Sequence, residues 1–196
     1  MTAPASLPDQ EAYTTAIADR TPEDGIIVSN LGVSSFTLSA VADRPRNYYM
    51  KGAMGSTTPV GLGLAIARDE RVTVLDGDGS LLMSLGTLGT VSNKDPENLI
   101  VIVMNNSQFM TTGGQPSLAD VVELSEAAES CGLLGVTAST IEEFEAAYDE
   151  AVAHDGAAVI DCRMRASVPD DYPTPDYGHS YLKHRFRSAV LGRTED

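Results

Sequence analysis

Tryptophan is absent from these 196 residues, and cysteine occurs only twice, at Cys131 and Cys162. Two isolated cysteines exclude a disulfide framework and a Cys-ligated metal or iron–sulfur site. Lysine is nearly as rare: Lys51, Lys94 and Lys183 are the only three among 13 cationic side chains, against 28 acidic ones. The resulting net charge of −15 repels phosphate backbones and argues against nucleic acid as a partner. No apolar run reaches the roughly 20 residues that span a bilayer, so no membrane role is expected. The first residues lack the basic start and apolar block of a signal peptide, and the cytoplasm is the expected location. Strong acidity with few lysines fits a halophilic, high-salt cytoplasm, where screening relieves self-repulsion. It fits a GC-rich genome equally well.

What is present is an ordinary globular interior, with 42% hydrophobic residues. The length suits a single domain, placed at residues 1–168, followed by a tail at 169–196 that is rich in Pro, Tyr and basic residues. The tail reads as a docking arm or a disordered end. Nearly continuous apolar runs at Ile26–Ser29, Arg71–Asp76, Leu99–Met104 and Ala157–Cys162 predict strands covered on both faces. Helical spacing recurs between them. One stripe joins Val121, Leu124, Ala128 and Cys131; another joins Ile141, Phe144, Tyr148 and Ala151. A capping box at Thr140 and Glu143 opens the second helix, and an earlier helix is expected from about Ser56 to Arg68. This alternation predicts an α/β fold, a doubly wound parallel sheet with helices on both faces.

Two motifs carry chemistry. Gly77-Asp78-Gly79-Ser80 follows one predicted strand and precedes a helix, and Asn105-Asn106 ends another, with 25 residues between Gly79 and Asn105. Either motif alone would read as a turn or a loop. Together they place a carboxylate and a carboxamide at the carboxyl edge of a parallel sheet, where ligands bind. Both are hard oxygen donors suited to Mg²⁺. The glycines allow close backbone approach, and a helix starting near Ser80 would aim N–H groups at an anion. A magnesium diphosphate satisfies all of these features. Asn105 to Ser117 forms a polar, glycine-containing loop directly after the strand.

This pairing resembles the thiamine-diphosphate motif, and Gly52-Ala53-Met54-Gly55, continuing to Pro59, resembles the segment by which that family holds the aminopyrimidine ring. The resemblance implies that Asp78, Asn106 and the Gln108 carbonyl ligate Mg²⁺, with Gly77, Gly79 and Ser80 at the diphosphate. It makes Met54 the wedge beneath the bent cofactor and the Gly52 carbonyl the acceptor for the 4′-amino group; Asn105 is structural. A core methionine is the alternative for Met54. The segments YYMKGAMGS, VTVLDGDGSLLMSLGTLGTV and NLIVIVMNNSQFMTTGGQPS narrow the likeness to sulfopyruvate decarboxylase β subunits and the C-terminal domain of phosphonopyruvate decarboxylases, over about residues 25–165. That implies decarboxylation of a 2-oxo acid with an acidic group, in coenzyme M biosynthesis for the sulfopyruvate enzymes.

Phe109 and Met110 depart from the small or polar residues expected after the second Asn, and Lys51 stands where an apolar residue is usual. Lys51 could bind a sulfonate or phosphonate, or simply face solvent. The family's activating glutamate belongs to a pyrimidine-binding domain for which this chain has no room. A separate α subunit is therefore expected to supply it, in an α₂β₂ assembly or a multiple. The three histidines, His154 after a helix and His179 and His184 in the tail, are given no catalytic role. Alternatives include half of a split acetolactate synthase-like carboligase, a 2-oxoacid:ferredoxin oxidoreductase subunit disfavoured by the cysteine count, and a non-catalytic regulatory subunit. A dinucleotide module built on Gly61 and Gly63 fails for want of a preceding strand.

Overall fold

A computed structural model describes residues 6–167 and 177–192. Its elements run α1 (Gln10–Arg20), β1 (Ile26–Ser29), α2 (Val33–Ala42), β2 (Asn47–Tyr49), α3 (Thr57–Ala67), β3 (Val72–Gly77) and α4 (Asp78–Met83). They continue through α5 (Thr87–Lys94), β4 (Leu99–Asn105), β5 (Gln108–Phe109), β6 (Gln115–Pro116), α6 (Leu124–Ser130), β7 (Leu134–Ala138), α7 (Ile141–Ala153), β8 (Ala158–Arg163) and α8 (His179–Leu191). Six parallel strands form one sheet in the order β2-β1-β3-β4-β8-β7, and β5 and β6 make a separate antiparallel ribbon. The predicted α/β doubly wound sheet is what forms. Among the described residues, no helix is long and apolar enough to cross a membrane.

The four predicted strands lie at the centre because their runs are apolar on both faces, and β4 is buried along its whole length. One face packs on α3, α5, α6 and α8 through Leu62, Leu88, Leu124 and Phe186. The other packs on α1, α2 and α7 through Ile17, Leu38 and Phe144. Each such large side chain, fully buried, stabilises the fold by about 1.5–3 kcal/mol. At α7 the Thr140 hydroxyl accepts from the Glu143 N–H at 3.1 Å, as the capping box requires. The Glu143 carboxylate reaches back to Ser139 N–H, one residue before the cap.

Two expectations change. Val121 is 79% exposed and precedes α6, so the stripe begins at Leu124; Val121 belongs to a turn closed by its own N–H donating to Leu118 O at 3.0 Å. In the tail, residues 179–191 form α8, which docks on β2. Phe186 stacks on Tyr48 at 5.0 Å, and Arg185 grips Asp43 with two hydrogen bonds of 2.8 and 2.7 Å. The boundary at residue 168 and the tail up to residue 176 lie outside the described residues.

Gly61 is a packing glycine in the middle of α3. A Cβ there would lie 2.1 Å from Val74 Cγ2 on the central strand. Gly61→Val is expected to cost about 2–3 kcal/mol through overpacking. In a chain of this size that lowers Tm by about 4–12 °C in a thermal melt. An unchanged Tm would mean α3 can lift off the sheet without penalty.

Candidate functional site

The chain order reverses beside β1, which pairs with both β2 and β3. Loops leaving the carboxyl ends of neighbouring strands diverge at such a point and leave a crevice. Four of them meet here: one carries Asn30 after β1, and the others carry the predicted residues, Gly52 and Met54 after β2, Asp78 and Gly79 after β3, and Asn106 and Gln108 after β4. A cavity of about 140 Å³ is lined by Met54, Asp78, Gly79, Ser80, Asn106 and Gln108, among others. Gly52 lies instead on an adjoining cavity of about 350 Å³, which shares Leu31 and Thr111 with the first. Gly77, the predicted diphosphate contact preceding Asp78, lies beside Asn30: a Cβ on it would come within 3.1 Å of Asn30 Nδ2.

Asp78 is 3% exposed, and its Oδ2 accepts a 2.5 Å hydrogen bond from the Ser117 hydroxyl. Burial pushes its carboxyl above the ordinary range, against the pull of Ser117 and of backbone N–H donors at Gly79 and Ser107. Among the described residues it has no cationic partner. A buried carboxylate without one is costly unless it neutralises or binds a cation. No three His, Cys, Asp or Glu side chains converge as a metal site among the described residues. A cation at Asp78 would therefore rely on neutral oxygens beside one carboxylate, a donor set that suits Mg²⁺.

The β4 end supplies those oxygens. Asn105 is turned inward: its Nδ2 donates to Asp161 Oδ1 at 2.9 Å, and its Oδ1 accepts from Ser107 N–H at 3.2 Å. Asn106 faces the cavity, with Oδ1 accepting from Gln108 N–H at 2.9 Å and a second lone pair free for a ligand. These two successive side chains diverge as strand alternation requires, and Ser107, in the left-handed region at φ 58, then turns the chain into the β5–β6 ribbon. The polar loop is a defined ribbon. Ser117 N–H donates to Ser107 O at 2.9 Å, closing it over Asp78.

At Gly79 of the GDG motif a Cβ would fall 2.1 Å from the Phe109 ring, so any side chain there would have to displace that ring. Ser80 departs from expectation in detail. Its hydroxyl accepts from Gly55 N–H at 3.0 Å and bonds to Asp76, joining the Gly52–Gly55 turn to the start of α4. A contact from Ser80 to an anion would come from its backbone. α4 begins at Asp78, two residues before the predicted start.

Three participants were not among the predicted residues. Asp76, wholly buried, accepts from the Thr58 hydroxyl at 2.7 Å and fixes the start of α3 against β3. Asn30 accepts from Leu31 N–H and the Thr57 hydroxyl, holding the loop after β1. Ser117 orients Asp78. Of these, only Asn30 had a signal in the sequence, as the polar residue ending an apolar strand. Ser117→Ala removes the hydrogen bond that aims the Asp78 carboxylate. Losing such a support is expected to weaken Mg²⁺-dependent ligand binding about 10–100-fold; isothermal titration would measure it, and unchanged affinity would show that Asp78 needs no orientation.

The profile of the family described as thiamine pyrophosphate enzyme, C-terminal TPP binding domain, matches residues 31–162, and the chain belongs to that family. Within it the chain is similar to the sulfopyruvate decarboxylase subunit beta of Methanothermobacter thermautotrophicus, 39% identical over 174 residues, covering 89% of this chain and 91% of the relative. It is also similar to the phosphonopyruvate decarboxylase of Streptomyces viridochromogenes, 37% identical, over 95% of this chain but only 47% of that one. The fold matches the crystal structure of benzoylformate decarboxylase from Polynucleobacter necessarius at a TM-score of 0.74 and 20% identity, over 86% of this chain and 35% of that one.

Proposed function

We propose that this chain is the diphosphate- and Mg²⁺-holding subunit of a thiamine-diphosphate-dependent decarboxylase for a 2-oxo acid bearing a second acidic group. Sulfopyruvate is the first candidate, giving sulfoacetaldehyde and carbon dioxide, and phosphonopyruvate is the next. The observation that carries this reading is the single cleft joining Asp78 to Asn106 and Gln108, in a chain that aligns with nearly all of a sulfopyruvate decarboxylase subunit. Bound there, thiamine diphosphate supplies the electron sink that lets a 2-oxo acid lose carbon dioxide.

The residues present fit that group. Asp78, the Asn106 side chain and the Gln108 carbonyl would hold Mg²⁺. Gly77, Gly79 and the Ser80 backbone would meet the diphosphate. Met54 would support the ring system, and the Gly52 carbonyl would accept from the 4′-amino group. Phe109, packed on Gly79, would keep water from the metal side, where exclusion strengthens every electrostatic contact. The smaller cavity is too small for the whole cofactor, since such ligands occupy about 300–1,000 Å³. The adjoining cavity provides the remaining room on this chain.

Among the described residues no glutamate lines either cavity, so the activating carboxylate would come from an α subunit, in α₂β₂ or a multiple. The phosphonopyruvate relative supports this, because more than half of that longer chain lies outside the match. Leu118 and Val121, 66% and 79% exposed just beyond Ser117, are apolar surface that such a partner would cover.

The test is reconstitution. Purified chain and α subunit, with Mg²⁺ and thiamine diphosphate, are assayed separately and mixed for carbon dioxide release from sulfopyruvate, phosphonopyruvate and pyruvate. Release only from the mixture, with an aldehyde product, supports the reading. An acyloin product would move it to a carboligase, and cofactor binding without turnover to a regulatory subunit.

A further inference from the structure

Lys51 and His179 come from opposite ends of the sequence, yet Lys51 Nζ and His179 Nε2 are in direct contact. Both line the larger cavity with Gly52, Tyr49 and Thr111. The contact lies at the exposed rim of that cavity and is held by α8, which Arg185 anchors on Asp43 and Phe186 on Tyr48 of β2, the strand that ends two residues before Lys51. Arg185 is additionally stacked over Tyr177 at 5.3 Å, which ties down the residues just before α8. Among the described residues neither Lys51 nor His179 pairs with a carboxylate, in a chain with 28 acidic residues.

An ammonium group has only donors to offer, so the ring nitrogen meeting it serves as the acceptor. An anion entering between them, with the His179 ring proton shifted from Nδ1 to Nε2, would let both nitrogens donate to it, exchanging one neutral–cation contact for two charge-assisted hydrogen bonds. The position is also right for substrate. Lys51 is the neighbour of Gly52, whose carbonyl marks the 4′-amino end of the cofactor in the reading above, and that end adjoins the reacting carbon.

We propose that Lys51 and His179 form the subsite for the sulfonate or phosphonate of the substrate, and that α8 exists to deliver His179 to it. This rests on the decarboxylase reading for the identity of the anion. The subsite sets which 2-oxo acids bind; it takes no part in bond breaking.

The experiment uses the assembled α–β enzyme with Lys51→Gln and His179→Gln variants. Each variant is expected to raise KM for sulfopyruvate about tenfold to a hundredfold, the range for losing one hydrogen bond to a charged group. The dissociation constant of Mg²⁺–thiamine diphosphate should stay at the wild-type value. Sulfoacetate, which has the sulfonate but no 2-oxo group, should inhibit the wild type competitively and move the His179 ring resonance in a ¹³C NMR titration. K51Q should abolish that movement. Unchanged KM and sulfoacetate inhibition in both variants, or a His179 resonance indifferent to sulfoacetate, would overturn the subsite. If the wild type decarboxylates no acidic substrate, the functional reading fails, while the His179 resonance still decides whether a sulfonate binds here.

Discussion

Asp78→Asn is expected to abolish Mg²⁺-dependent binding of thiamine diphosphate while leaving the chain folded. The substitution keeps the side-chain shape and an acceptor for the Ser117 hydroxyl, but removes the only carboxylate of the proposed ligand set. Because burial disfavours the charged form of Asp78, the metal-free variant should melt no lower than the metal-free wild type. The difference emerges on adding ligand. A ligand at about a hundred times its Kd stabilises the native state by about 2.7 kcal/mol. That raises Tm by about 5–11 °C in a chain of this size, and D78N should show none of the rise. Turnover of the assembled enzyme should fall by more than about a hundredfold, beyond the usual effect of losing a group that only supports a ligand. A D78N variant with a full ligand-induced Tm shift would remove Asp78 from the site.

The second large effect is on Asp161, which faces no ligand. It is wholly buried; one oxygen accepts from Asn105, and the other lies 3.1 Å from Arg163 Nε, an ion pair without an aligned hydrogen bond. Arg163 continues outward to Glu123. Asp161→Ala strands the Asn105 amide in the core and unpairs the inner face of Arg163. The expected cost is about 3 kcal/mol, which lowers Tm by about 6–12 °C. It should also loosen Asn106, because Asn105 no longer fixes the turn after β4.

Asp161 has a pH signature as well. Burial raises its carboxyl above the ordinary aspartate value, against the opposing pull of Asn105 and Arg163. The folded chain therefore keeps this proton longer than the unfolded chain does. The Asp161 contribution to stability is greatest below about pH 3.8 and declines as pH rises through the folded pKa. Asp161→Asn keeps an acceptor for Asn105 and does not titrate, so its penalty relative to wild type should shrink as pH rises through that window. A penalty that grows with pH would mean Arg163, not burial, governs this carboxyl.

The central strands and the two motifs were legible in the sequence because their signals are local. A strand covered on both faces must be apolar throughout, as Leu99–Met104 is, and the two motifs, each common alone, become informative as a pair at two strand ends with 25 residues between Gly79 and Asn105. Edge strands were not legible: Leu134–Ala138 is half-exposed and interrupted by Gly135, and Asn47–Tyr49 has three residues. α1 was hidden by small and polar residues, although Tyr13 and Ile17 anchor it in the core. Asp76, Ser117 and His179 gain their roles from partners 18, 39 and 128 residues away, and no spacing rule reaches that far. Val121 misled because its apolar character matched a helical period that the chain does not adopt there.

The most direct test of the account is anomalous diffraction from the assembled enzyme crystallised with thiamine diphosphate and Mn²⁺ in place of Mg²⁺. The account predicts one strong manganese peak in this subunit, among the side-chain oxygens of Asp78 and Asn106 and the carbonyl of Gln108. A cofactor bound with its metal held by other residues, or a cleft bypassed altogether, would contradict it.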